Sequence, residues 1–129
     1  MAATRMRSPL GRAIGLGSAK EGVEHWWAQR VTALALVPLI VWFVIGIIER
    51  VGADRAELRQ WLAQPLPAIA MLLLLIATFY HTALGLQVVI EDYVHVEGPK
   101  LALLIVMRLA CFALAVAGIF AVLRLALGT

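Results

Sequence analysis

The chain has 129 residues, of which 63% are hydrophobic and 15% charged, and its formal net charge is +3. A core of this size cannot hide so much apolar surface, so composition excludes a soluble globular domain and indicates an integral membrane protein. Scattered basic residues argue against a nucleic-acid partner, and the lone Cys111 excludes an internal disulfide or a resident iron–sulfur cluster.

Residues 1–17 read as a flexible basic segment holding Arg5, Arg7 and Arg12. The segment lacks the apolar core of a secretory signal, and arginines without acids also fit a mitochondrial transit composition. Residues 18–129 read as one membrane domain. Ser18-Ala19-Lys20-Glu21 has the capping-box pattern, which starts a helix before the membrane. Trp26 and Trp27 then fall where an aromatic belt is expected. The first uncharged run is Val31 to Ile48, with Pro38 tolerated inside it. A loop follows in which Arg50, Arg55 and Arg59 alternate with Glu49, Asp54 and Glu57. The second run, Leu66 to Ile90, carries no formal charge over 25 residues, and the third, Leu101 to about Leu123, is interrupted only by Arg108. Each is long enough to cross about 30 Å of hydrocarbon. The fold expected is all-α, with transmembrane helices over about 28–49, 66–92 and 100–124. Continuous rather than alternating hydrophobicity excludes a β-barrel.

Arg5, Arg7, Arg12, Lys20, Arg30 and Lys100 lie on the amino-terminal side, against Arg50, Arg55, Arg59 and Arg124 opposite. This slight excess predicts a cytoplasmic (or matrix) amino terminus. Aligning the ends of the uncharged runs puts Arg30 at the same surface as Asp92, Tyr93 and His95.

His81 is the residue of greatest chemical interest. An imidazole inside an uncharged span is expensive, and a function or a partner is its default explanation. It precedes Asp92 by eleven residues, about 17 Å along a helix, which predicts mid-membrane depth. His81, Gly85, Val88 and Asp92 share one helical stripe, with small residues around the histidine. Two readings compete for that stripe. Small residues let another helix pack closely; alternatively, Gly85 leaves room for a flat macrocycle whose iron His81 binds. Depth and the polar cluster at the helix end favour haem beside a quinone pocket. His25 and His95 sit at or beyond the interface, so a second axial histidine must come from another polypeptide. Tyr93 is a candidate donor to a quinone carbonyl, with Asp92 orienting it or relaying protons; as a bland pair they are a belt residue and a solvated charge. Arg30 is either a membrane-edge anchor or a partner for haem propionates or Asp92. Arg108 either snorkels to the surface, the preferred reading, or faces inward toward anionic groups.

Two segments carry a family resemblance. They are Gly17-Ser18-Ala19-Lys20-Glu21-Gly22-Val23-Glu24-His25-Trp26-Trp27-Ala28-Gln29-Arg30 and His81-x3-Gly85-x6-Asp92-Tyr93. With them the chain resembles the small hydrophobic membrane anchors of succinate dehydrogenase, respiratory complex II, and the first segment is especially like alphaproteobacterial members. The resemblance implies a polypeptide that is not catalytic alone. Its partners would be a second membrane anchor, an iron–sulfur protein, and a flavoprotein holding FAD, all at a bacterial inner membrane or, alternatively, a mitochondrial one. It further implies a helical bundle, shared with the second anchor, that holds haem b. His81 would be one axial ligand to the haem iron, with the other from the second anchor. Tyr93 would contact ubiquinone with Asp92 adjacent, and Arg30 would lie near haem propionates and the quinone site. A fumarate reductase anchor and a cofactor-free structural or assembly protein remain the alternatives. A transporter is disfavoured, because no span carries a buried acid pair or an interrupted helix with an ion site.

Overall fold

A computed structural model describes residues 8–14 and 20–128. Five helices run in chain order: α1 (Pro9–Ile14), α2 (Lys20–Ile48), α3 (Arg55–Leu62), α4 (Pro65–Tyr93) and α5 (Glu97–Leu127). Three of them, over Gly22–Ile48, Pro65–Tyr93 and Glu97–Leu127, are long and apolar enough to span a membrane. The all-helical, three-span expectation is thus met, with each helix longer than its predicted span. The charged flanks continue the helix because a solvated turn costs the backbone nothing extra once nucleated. The capping box at Ser18–Glu21 lies outside the described residues.

Short connections force antiparallel neighbours. Val94 and Val96 are extended and separate α4 from α5. Pro65 opens α4 at a position where a missing N–H is harmless. Gly128, at φ 78°, closes α5 in the left-handed conformation that glycine adopts without strain. α2 and α5 each pack along α4 and not against each other. Among the described residues few side chains of the long helices are buried, namely Thr32, Leu36, Pro67, Leu74, Leu84 and Val122. The apolar residues facing outward suit lipid or a partner chain, since hydrocarbon solvates them as well as a core would.

The first loop holds a helix that hydropathy does not reveal. Asp54 caps α3 by accepting from the Glu57 N–H at 2.9 Å, while the Asp54 N–H donates to Glu57 Oε2 at 3.2 Å. This reciprocal capping box is legible as Asp-x-x-Glu. α3 contacts α4 and α5. Its Trp61, only 8% exposed, reaches α2. There the ring stacks on Trp42 with centroids 5.6 Å apart, under the Arg50 guanidinium at 4.2 Å. Arg50 also donates to the Gly46 carbonyl at 2.8 Å. The short helix therefore ties the far ends of the spans together.

Gly46 makes that contact fit. A Cβ there would stand 2.9 Å from Trp61 Cζ2 and 3.1 Å from Cη2. We expect Gly46→Ala to destabilise the assembled protein by about 1–3 kcal/mol through overpacking. Thermal denaturation in detergent measures it. Combining it with Trp61→Leu should recover part of the loss, as expected for coupled neighbours.

Candidate functional site

His81 stands on α4, half-buried against α2. Its Nδ1 lies 2.9 Å from Thr32 Oγ1, and its Nε2 lies 3.5 Å from Gln29 Nε2. The Thr32 hydroxyl also approaches two carbonyls of its own helix, Ala28 O at 2.7 Å and Gln29 O at 3.1 Å. Gln29 Oε1 is buried and has no hydrogen-bond partner among the described residues. One turn along α4, a Cβ at Gly85 would meet only Gln29 Nε2, at 3.6 Å. The stripe beside His81 is therefore open on this chain's side, and a single Gln29 amide lies across it.

These contacts set the register of α2 on α4. Thr32 lies level with His81 and Gln29 with about Gly85, so Arg30 is level with about Ala83. Arg30 is thus offset from Asp92 by nine residues, about 13 Å along the axis, and, two residues from Thr32, is turned by about 200° from the face of α2 that meets His81. This corrects the expectation that Arg30, Asp92 and Tyr93 share one surface. The two uncharged runs are not aligned at their ends, because α2 and α4 are both 29 residues long and pack flush as whole helices. Arg30 is exposed and lies over Trp26, its guanidinium carbon 5.4 Å from the ring centroid, and among the described residues it makes no ion pair with Asp92. Asp92 and Tyr93 project from the carboxy-terminal end of α4, Tyr93 being 82% exposed. Neither side chain hydrogen-bonds to the other among the described residues. His95 is exposed in the turn that follows.

Arg108 is exposed and finds a partner on the neighbouring helix. Its Nη2 donates to Gln87 Oε1 at 2.9 Å across the α4–α5 interface, and Gln87 Nε2 donates to Glu91 Oε1 at 2.9 Å. A neutral amide acceptor on the neighbouring helix satisfies one of the guanidinium's donors. Glu24 and His25 of α2 line the same groove as Gln87 and Arg108. This groove, about 710 Å³ in volume, runs between α2 and α5 over α4 and is floored by Ile76, Phe79, Tyr80 and Ala83. Ala83 is turned by about 200° from His81, so groove and histidine occupy nearly opposite faces of α4. The polar layer at Gln87 begins only six residues, about 9 Å, from His81, whereas the Pro65 end is about 24 Å away. His81 therefore lies in the middle third of α4, 12 residues or about 18 Å from its Tyr93 end.

Sequence reading missed Gln29 and Thr32. The signal was present: His25, Ala28, Gln29, Thr32 and Leu36 recur at helical spacing, so two polar residues fall on the stripe that packs inward. No group of three or more potential metal-ligating side chains occurs among the described residues.

The succinate dehydrogenase/fumarate reductase transmembrane subunit family matches residues 4–117. Relatives include the succinate dehydrogenase hydrophobic membrane anchor subunit of Paracoccus denitrificans, 33% identical over 124 residues, which cover 96% of this chain and 95% of that protein. The protein of the same name in Rickettsia bellii is 35% identical over 116 residues, 90% of this chain and 93% of the relative. That of Rickettsia conorii is 33% identical over 116 residues, 89% and 92% respectively. No solved structure gives a significant match. On a match spanning most of its length, the chain belongs to the succinate dehydrogenase/fumarate reductase transmembrane subunit family.

Proposed function

We propose that the chain is a membrane anchor of succinate:ubiquinone oxidoreductase, supplying one axial ligand to haem b and part of the ubiquinone-reduction site. The observation that carries this reading is His81, an imidazole within a spanning helix, packed beside an open glycine stripe. The residues present fit a haem. Imidazole nitrogen is an ordinary axial donor, Gly85 leaves space beside it, and the buried Gln29 Oε1 lacks a partner within the described residues. When bound, the haem supplies one-electron redox chemistry. His81 would hold the iron, and Arg30, which makes no ion pair with Asp92 among the described residues, would be available to a propionate. A further ligand would come from a second membrane anchor, because neither His25 nor His95 contacts His81 among the described residues. The names of the relatives favour the succinate dehydrogenase direction over a fumarate reductase anchor.

Quinone reduction consumes two protons, so its site needs donors in contact with water. Tyr93 and Asp92 meet that need at the exposed end of α4. In this proposal the phenol donates to a quinone carbonyl, and Asp92 and Glu91 keep protons available nearby. Iron–sulfur and flavoprotein partners would deliver the electrons. The membrane is a bacterial inner membrane with the amino terminus in the cytoplasm. Arg108 strengthens that orientation, because Gln87 holds it toward the amino-terminal side.

Three outcomes test the proposal. His81→Ala should lose the low-spin b-type haem spectrum of the purified complex, and an unchanged spectrum overturns the ligand assignment. Tyr93→Phe should sharply lower succinate-to-ubiquinone turnover while sparing succinate oxidation by an acceptor that takes electrons upstream. One lost neutral hydrogen bond costs about 0.5–1.5 kcal/mol, a factor of roughly 2 to 13, and more where it delivers a proton. For topology, single cysteines replacing Arg55 and His95 in a Cys111→Ala background should label from opposite faces of the membrane, the His95 position from the cytoplasm.

A further inference from the structure

The contacts of Thr32 determine where the hydrogen on His81 resides. A threonine hydroxyl has one hydrogen to give. Thr32 Oγ1 stands 2.7 Å from Ala28 O and 3.1 Å from Gln29 O. An oxygen–oxygen approach of 2.7 Å requires the hydroxyl hydrogen between the atoms, since two lone pairs alone repel. The hydroxyl is then spent on its own helix, and only its lone pairs remain for His81. At 2.9 Å, His81 Nδ1 must therefore be the donor. A neutral imidazole with its hydrogen on Nδ1 carries its lone pair on Nε2. The Gln29 contact fits the same tautomer: its amide nitrogen, a donor, faces Nε2 at 3.5 Å.

The geometry points to Thr32 as a positioning residue that holds His81 in the Nδ1–H tautomer, with Nε2 presented as the iron-binding atom. This rests on the haem-ligand role proposed above for His81 and extends it to a residue on another helix. The hydrogen bond does two things. It disfavours the alternative tautomer, whose Nε2–H cannot ligate. It also draws the Nδ1 hydrogen toward oxygen and makes Nε2 more basic, which favours ferric over ferrous iron. Thr32 owes its acceptor role to Ala28, so α2 must stay helical through Ala28–Thr32 for the effect to exist. The Gln29 amide, the nearest polar group to Nε2, must move aside for a metal to bind there.

The test uses the purified membrane complex with three substitutions. Thr32→Val keeps the side-chain shape and removes the oxygen; Thr32→Ser keeps the oxygen; His81→Ala removes the ligand. Haem content and midpoint potential are measured beside succinate oxidation by an upstream acceptor, which reports assembly. Thr32→Val is expected to weaken haem retention about tenfold and raise the haem potential by about 59 mV, the equivalent of a tenfold change in the ferric-to-ferrous binding ratio for a one-electron couple. Thr32→Ser should restore both values. If Thr32→Val does not assemble, Thr32→Ala carries the same readout. Wild-type haem content and potential in the valine variant, with haem absent from His81→Ala, overturn the role of Thr32 alone. Haem retained in His81→Ala overturns the ligand assignment and this inference together.

Discussion

The packing of α2 on α4 at the level of His81 is the constraint on which the rest of the arrangement depends. In a bilayer, apolar side chains gain nothing by turning from lipid to another helix, so hydrophobicity alone leaves two spans free to slide past each other. A polar contact has one good register. Thr32 and Gln29 against His81 supply it, and the flush ends of α2 and α4 follow from it. Arg30 is then offset by about 13 Å along the axis from Asp92, which stands with Tyr93 at the end of α4. The residues that the uncharged runs group into one cluster of chemistry therefore occupy two levels separated by about 13 Å.

The two exposed faces of α4 differ in kind. One carries His81 and Gly85, with small residues and an amide that spans the opening. The other is the floor of the groove between α2 and α5, apolar along its length, with Gln87, Arg108, Glu24 and His25 toward one end. Helix α5 completes the groove by close approach at Gly118, where a Cβ would lie 3.3 Å from the Leu75 side chain. Such contacts stand in for the hydrophobic drive that water would supply. At the opposite end α3 acts as a clamp, since Trp61 couples it to Trp42 and Arg50 while its charged residues remain exposed. The surface ion pairs, Arg50–Glu49 and Lys100–Glu97, are both 3.4 Å long and contribute little beside this aromatic packing.

A three-helix chain with so little buried side-chain area is an incomplete object in structural terms. Its central helix is covered on two flanks, and the histidine stripe, met by Thr32 and Gln29 of α2, is only half-buried. An imidazole in that position is costly unless the remaining ring face meets a metal, a hydrogen-bonding group or another helix.

Composition and the three uncharged runs sufficed to determine an all-helical membrane protein, because the thickness of hydrocarbon sets a length that no soluble element needs to match. They also singled out His81, since a buried imidazole is conspicuous against leucine and valine. The Asp54-x-x-Glu57 box made α3 legible to a reader of capping patterns, although hydropathy hid it. Register was not legible, since each run tells how long a helix is and nothing about which turn of its neighbour it meets. Tertiary structure alone decided that Thr32 faces His81 and that Arg108 finds Gln87. Each of those pairings lies between helices, where a few directed hydrogen bonds choose among many equally apolar alternatives.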